Sequence, residues 1–138
     1  MRYIQLLLLS VCMVCIASCT KSNSVETTTG VEGSYTAEKF IGIGPADGSV
    51  DIIVGGGSLT MQLNSNKSYT AHTSVPGSLQ CNYATGENDF SGTYTVSNDT
   101  VYFSSGRQLF NALIWDKPTN TLHAFTFMWG GQVILRRK

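Results

Sequence analysis

The residues of this 138-residue chain able to do chemistry are few and far apart. His72 and His123 are its two histidines, and no cysteine or carboxylate stands near either at the short spacing of a zinc site. The nine acidic residues are scattered and leave no visible carboxylate pair for acid–base work. Gly42-Ile43-Gly44-Pro45-Ala46-Asp47-Gly48 and Gly55-Gly56-Gly57-Ser58 look like phosphate cradles. No Lys-Ser or Lys-Thr follows them, and no amphipathic helix starts there to offer a dipole, so the span from Gly42 to Ser58 reads as flexible loop. A two-histidine haem clamp has no supporting motif. A reactive thiol at Cys81 needs a depressed pKa and a neighbouring base, and nothing in the sequence brings a histidine to it. The sequence therefore predicts a protein that is not an enzyme, with no catalytic residues, no metal and no cofactor.

Composition narrows the partners. Nine Lys plus Arg balance nine Asp plus Glu, so the chain has no electrostatic footprint for nucleic acid or for an anionic membrane surface. With 42% hydrophobic and 13% charged residues it is too apolar for disorder along most of its length. One compact domain is the expectation.

The N-terminus carries the address. Arg2 precedes an apolar run from Ile4 to Ala17, interrupted by Gln5 and Ser10, in the charged-then-apolar layout of a secretory signal peptide. The run ends in Ile16-Ala17-Ser18-Cys19, which resembles the lipobox of bacterial lipoproteins. That resemblance implies a signal peptide over residues 1–18, cleavage before Cys19, a diacylglyceryl thioether on Cys19 and an acylated amino terminus, with firm membrane anchoring. The alternatives are an ordinary signal peptide cleaved near Ala17 and an uncleaved anchor. If Cys12 and Cys15 are removed and Cys19 is lipidated, Cys81 is left without a disulfide partner. It alternates in phase with Leu79 and Tyr83 on a short strand around Gln80 to Tyr83, which favours burial over an intermolecular bridge or a reactive thiol. Residues 19–30 are polar apart from Val25 and the lipidated cysteine, and read as a flexible tether. Lacking an acidic sorting signal after Cys19, the tether implies an outer-membrane anchor with the body facing the periplasm.

Residues 31–138 show two-residue alternation in short runs separated by turns, which is an all-β signature. Tyr94 and Val96 alternate before Asn98-Asp99, and Val101 and Phe103 after it. A two-residue loop sets Val96 opposite Val101 and Tyr94 opposite Phe103. Leu59, Met61 and Leu63 similarly precede a three-residue loop centred on Asn66, which sets Leu63 opposite Tyr69 and Met61 opposite Ala71. These nine apolar residues are the expected core, with His72 on the wetter face. Further strands over Gly33 to Ile41, Phe110 to Trp115, Thr121 to Met128 and Gln132 to Arg137 bring the count to eight or nine. Sequential hairpins in that number favour a small antiparallel up-and-down β-barrel over a Greek-key sandwich.

The order of Gly33-Ser34-Tyr35, Leu63-Asn64-Ser65-Asn66-Lys67-Ser68-Tyr69, Phe90-Ser91-Gly92-Thr93-Tyr94, Asp116-Lys117-Pro118-Thr119-Asn120-Thr121-Leu122 and Ile134-Leu135-Arg136-Arg137-Lys138 resembles the lipocalin-like barrels of bacterial lipoproteins. True lipocalins open with Gly-x-Trp and close with an Arg near that Trp. Here Tyr35 stands in the Trp position, and Arg136 or Arg137 supplies the Arg.

Six Phe, two Trp and the five Tyr beyond Tyr3 either fill such a barrel or line a cup for one small apolar ligand. The functional expectation is a lipid-anchored, periplasm-facing, lipocalin-like protein that binds a small hydrophobic molecule. The alternative is an interaction or inhibitor lipoprotein that docks an envelope protein with an outer barrel face. The strands flanking Asp116 to Asn120 are apolar on both faces. A five-residue loop there pairs Ile114 with Leu122, and the resemblance to the lipocalin-like lipoproteins, with their Leu after the Thr-Asn-Thr turn, implies that Ile114, Leu122 and Ala124 point inward. Leu113, Trp115, Phe125 and Phe127, with His123, then form the outer ligand- or partner-binding patch.

Overall fold

The computed structural model describes residues 30–107, 109–125 and 131–138. Residues 1–29, to which the expected signal peptide, lipidated Cys19 and most of the expected tether belong, lie outside them, as does Phe127. Among the described residues, nine strands and one 3-10 turn follow in order: β1 (Gly33–Ile43), the turn Pro45–Asp47, β2 (Ser49–Asp51), β3 (Ser58–Leu63), β4 (Ser68–Val75), β5 (Gly86–Ser97), β6 (Thr100–Arg107), β7 (Ala112–Asp116), β8 (Thr121–Phe125) and β9 (Gln132–Arg137). Eight pair antiparallel in the order β1-β3-β4-β5-β6-β7-β8-β9, and β9 pairs back onto β1, so the sheet closes into an up-and-down barrel with β2 as an extra strand on β1.

Two hairpins hold the register expected from their alternation. Val96 faces Val101 and Tyr94 faces Phe103 across Asn98 and Asp99, whose φ values of 48° and 59° are those of a type I′ turn. Leu63 faces Tyr69 and Met61 faces Ala71. Lys67 takes φ 65° after a tight turn in which its N–H donates to the Asn64 carbonyl at 3.0 Å. At the closing seam, register shifts between Ala37 and Lys39 and leaves Glu38 as a bulged residue. Arg136 on β9 binds the Glu38 carboxylate through Nε and, at 3.0 Å, Nη2, fastening the seam.

Eight of the nine expected core residues are buried. The exception, Val96, is partly buried against the others near its turn. Tyr35, Tyr69 and Tyr94 are the largest fully buried side chains, and the Tyr69 ring meets Phe103 edge-on with centroids 4.8 Å apart. An eight-stranded barrel is narrow enough for such side chains to fill it.

One end of the barrel carries both Gly30 and Lys138. Val31 lies across it fully buried and accepts a 2.6 Å hydrogen bond from the Tyr35 hydroxyl. Tyr94 donates to the Asn64 carbonyl at 2.7 Å, and Lys67 pairs with Glu32 at 2.6 Å while sitting 5.5 Å above the Tyr94 ring. Arg137, directly opposite Tyr35, lies over Gly33 and donates to the Gly30 carbonyl at 2.9 Å. A Cβ on Gly33 would come within 2.6 Å of that guanidinium, and its φ of 150° suits glycine alone.

The far end corrects two expectations. The glycine-rich span from Gly42 to Ser58 is ordered: β1 runs on to Ile43, β2 folds back along it, and Ile52 is fully buried with its N–H on the Phe40 carbonyl at 2.8 Å. Asp51 shapes the following turn, its carboxylate accepting from the N–H groups of Ile53 and Val54 at 3.0 and 3.1 Å. Gln80 to Tyr83 is not a strand. Its only ladder-like pairing is Asn82 with Ile43, whose N–H goes to the Asn82 side-chain oxygen at 2.7 Å and whose carbonyl takes the Asn82 N–H at 2.9 Å. Leu79, Cys81 and Tyr83 do point inward in phase, each half-buried against the core, and Tyr83 packs on Phe40 at 4.6 Å. Gly42 makes this crossing possible, since a Cβ there would stand 3.1 Å from Cys81, Asn82 and Tyr83 alike.

Candidate functional site

The expected outer patch is turned over by one residue of register. Asp116, expected as the first loop residue, instead pairs with Thr121, so the β7–β8 loop has four residues, and Asn120 closes it at φ 52°. Trp115 therefore faces Leu122, and Ile114 faces His123. Leu113 and Trp115 point inward and are 1% and 8% exposed, alongside the inward Leu122 and Ala124, whereas Ile114 points outward and is 46% exposed. His123 lies on the outer side, half-buried. Phe125 ends β8 opposite Gln132. The structure thus brings Leu113 and Trp115 together in the core and leaves His123 on the wall, apart from them.

A cleft of about 420 Å³ lies on the outer wall over β1, β3, β4 and β5. Strand register builds it from two rows of outward side chains. Ser34, Gln62, Thr70 and Ser91 form the row nearer the termini. Thr36, Thr60, His72 and Asp89 form the next. Met61 and Ala71 alternate with them and turn inward, so their backbone makes the floor. Ser34 donates to the Gln62 amide oxygen, and Gln62 Nε2 to the Leu63 carbonyl at 3.2 Å, which fixes the Gln62 head. Lys138 lines the rim nearest Ser34, to whose carbonyl its N–H donates at 2.9 Å.

His72 is clamped at the far rim. Its Nδ1 lies 2.8 Å from Asp89 and its Nε2 2.6 Å from Glu87, whose other oxygen accepts from Ser74 at 2.6 Å. These bonds, Asp89 first and Glu87 next, raise the imidazole above its ordinary 6.5, and Ser74 followed by His72 lowers Glu87 below 4.5. A raised folded value gives a contribution fully present below pH 6.5 that is lost as pH rises through it. A lowered carboxylate contributes above 4.5 and loses this as pH falls. The clamp is therefore tightest between the two. A ring-proton NMR titration should place the His72 midpoint above 6.5 and move it back down in Asp89→Asn; an unshifted midpoint would mean that the ring swings free in solution.

A second cleft of about 410 Å³ opens at the far end, between Ile43 and Pro45 on one side and Leu79 and Cys81 on the other. Cys81 Sγ faces the Tyr83 carbonyl at 3.9 Å, and burial together with Cys81 pushes the Tyr83 hydroxyl up to about 12.

The wall cleft was legible only in pieces. The polar members of each alternation, Thr60 with Gln62 and Thr70 with His72, announce an outer face. Their assembly into a cleft depends on β1 pairing with β3 across the excursion between them. Comparison with protein-family models, with curated proteins and with solved structures finds no match.

Proposed function

We propose that this protein is a lipid-anchored, non-catalytic binding module of the bacterial cell envelope, tethered through Cys19 to the outer membrane and facing the periplasm, that meets its partner with the wall of the barrel. The lipobox supports the anchor. The placement of Arg137 against Tyr35 supports kinship with the lipocalin-like lipoproteins, whose closing Arg sits near the first-strand aromatic. The observation that carries the wall reading is the burial of the described interior side chains: Tyr35, Tyr69, Tyr94, Phe103 and Leu122 are all buried in one core cluster, with Val31 buried toward one end and Ile52, beside the half-buried Leu79, Cys81 and Tyr83, toward the other. A small hydrophobic molecule held inside would have to displace these side chains, at a cost set by close packing.

One preparation tests both halves of the proposal. Intact-mass analysis of the membrane-purified chain should give a mature terminus at Cys19 carrying lipid, and Cys19→Ala should yield unlipidated precursor. The lipidated chain should take up N-phenyl-1-naphthylamine without saturation. An unmodified terminus elsewhere would overturn the anchor, and saturable one-to-one dye uptake would overturn the wall reading in favour of an internal ligand.

A further inference from the structure

We propose that the outer cleft over β1, β3, β4 and β5 binds a neutral sugar chain; this deepens the wall-binding reading and rests on it. The lining decides the chemistry. The hydroxyls of Thr60, Thr70 and Ser91 are on exposed residues and hold no side-chain hydrogen bond among the described residues. Thr36 Oγ1 is buried and has no partner among them. A buried polar atom left without a partner costs stability until a ligand or water reaches it. Hydroxyls both donate and accept, and the Gln62 amide, held by Ser34 and the Leu63 carbonyl, keeps one N–H and one oxygen lone pair for a ligand, so the surface offers mixed, uncharged hydrogen bonding. Adjacent strands set these groups roughly 4.8 Å apart, the scale of a pyranose ring.

Other ligand classes fit less well. An anion would meet Asp89 at the rim, and the charge of His72 is already shared between Asp89 and Glu87, which leaves Lys138 as the one lysine or arginine lining the cleft. An apolar ligand would find Tyr35, Met61 and Ala71 turned inward and 1%, 3% and 4% exposed, which leaves the half-buried Phe90 as the one apolar side chain of the lining within its reach. An extended peptide needs a free strand edge, and both edges of β3 and of β4 are paired in the sheet. A metal ion would need converging ligands, whereas Asp89 and Glu87 bind opposite nitrogens of His72, and no group of three or more His, Cys, Asp or Glu among the described residues suits one. A sugar's hydroxyls satisfy the same groups without charge.

The test uses the full chain, isotope-labelled, in a detergent without a sugar head group, titrated separately with chitotetraose and maltotetraose. One of the two should shift the amide signals of Thr60, Gln62, Thr70 and Ser91 saturably, and which one does so tells an N-acetylated wall-type glycan from a plain glucan. The double variant Gln62→Leu/Thr70→Val changes only outward side chains, and unchanged signals from Tyr35 and Leu135 will verify its fold. It should bind roughly tenfold more weakly or worse, as expected for two lost hydrogen bonds. Silence of both sugars, shifts confined to other parts of the barrel, or undiminished binding by the double variant would overturn the inference. Sugar silence with an interior that also excludes N-phenyl-1-naphthylamine overturns the glycan alone. Saturable dye uptake overturns the wall reading itself.

Discussion

Phe103→Ala is expected to destabilise the barrel by about 3–5 kcal/mol, the usual cost of deleting a buried aromatic side chain and leaving its cavity. Phe103 is 6% exposed, stands opposite Tyr94 in the ladder and meets the Tyr69 ring edge-on. Its loss would strip contacts from two of the largest buried side chains at once, and tyrosines on rigid strands cannot collapse far into the gap. Thr95→Ala, on the outward face of the paired strand, is expected to cost under about 1 kcal/mol. Urea unfolding of the two variants checks the pair. Equal destabilisation would mean that the faces of β5 and β6 are reversed.

Trp115→Ala is expected to cost about 3–5 kcal/mol, against under about 1 kcal/mol for Ile114→Ala. These neighbours on β7 exchange roles if the β7–β8 register moves by one residue, so the contrast reads the register directly. Trp115 is 8% exposed, pairs with Leu122, lies under Lys117 at 5.2 Å from its ammonium, and is close enough to Gly30 that a Cβ there would stand 3.0 Å from its ring. Removing the indole would open the end of the barrel that the chain crosses as it enters β1. Acrylamide quenching of Trp115 in a Trp129→Phe background should accordingly be weak. Strong quenching, or a larger loss from Ile114→Ala than from Trp115→Ala, would restore the outward placement of the tryptophan.

The two hairpins on either side of β6 and β7 show where sequence reading succeeds and where it stops. Around Asn98-Asp99 each strand has one apolar face, and two residues tolerant of positive φ leave a single loop that aligns both faces. Around Lys117-Pro118-Thr119-Asn120, Leu113, Ile114 and Trp115 are apolar in succession, so a slip of one residue buries an equally apolar set. The hydrophobic pattern is then silent, and the left-handed conformation of Asn120 and the pairing of Asp116 with Thr121 decide the matter.

By itself, then, the sequence determined the all-β class, the up-and-down order, most of the core and the lone thiol beyond the N-terminal cysteines, because alternation and turn chemistry are local. Tertiary structure alone decided that the glycine-rich span builds a strand, that Gln80 to Tyr83 crosses Gly42 without joining the sheet, that Trp115 turns inward, and that polar residues from β1, β3, β4 and β5 meet in one cleft. Each of these depends on partners distant in sequence. Ile52 is buried because Phe40 and the barrel end lie beneath it, and Ser34 stands beside Gln62 because the chain, after its excursion through β2, returns to lay β3 against the first half of β1. A pattern of period two records which way a side chain points, and carries no record of what the neighbouring strand will place beside it.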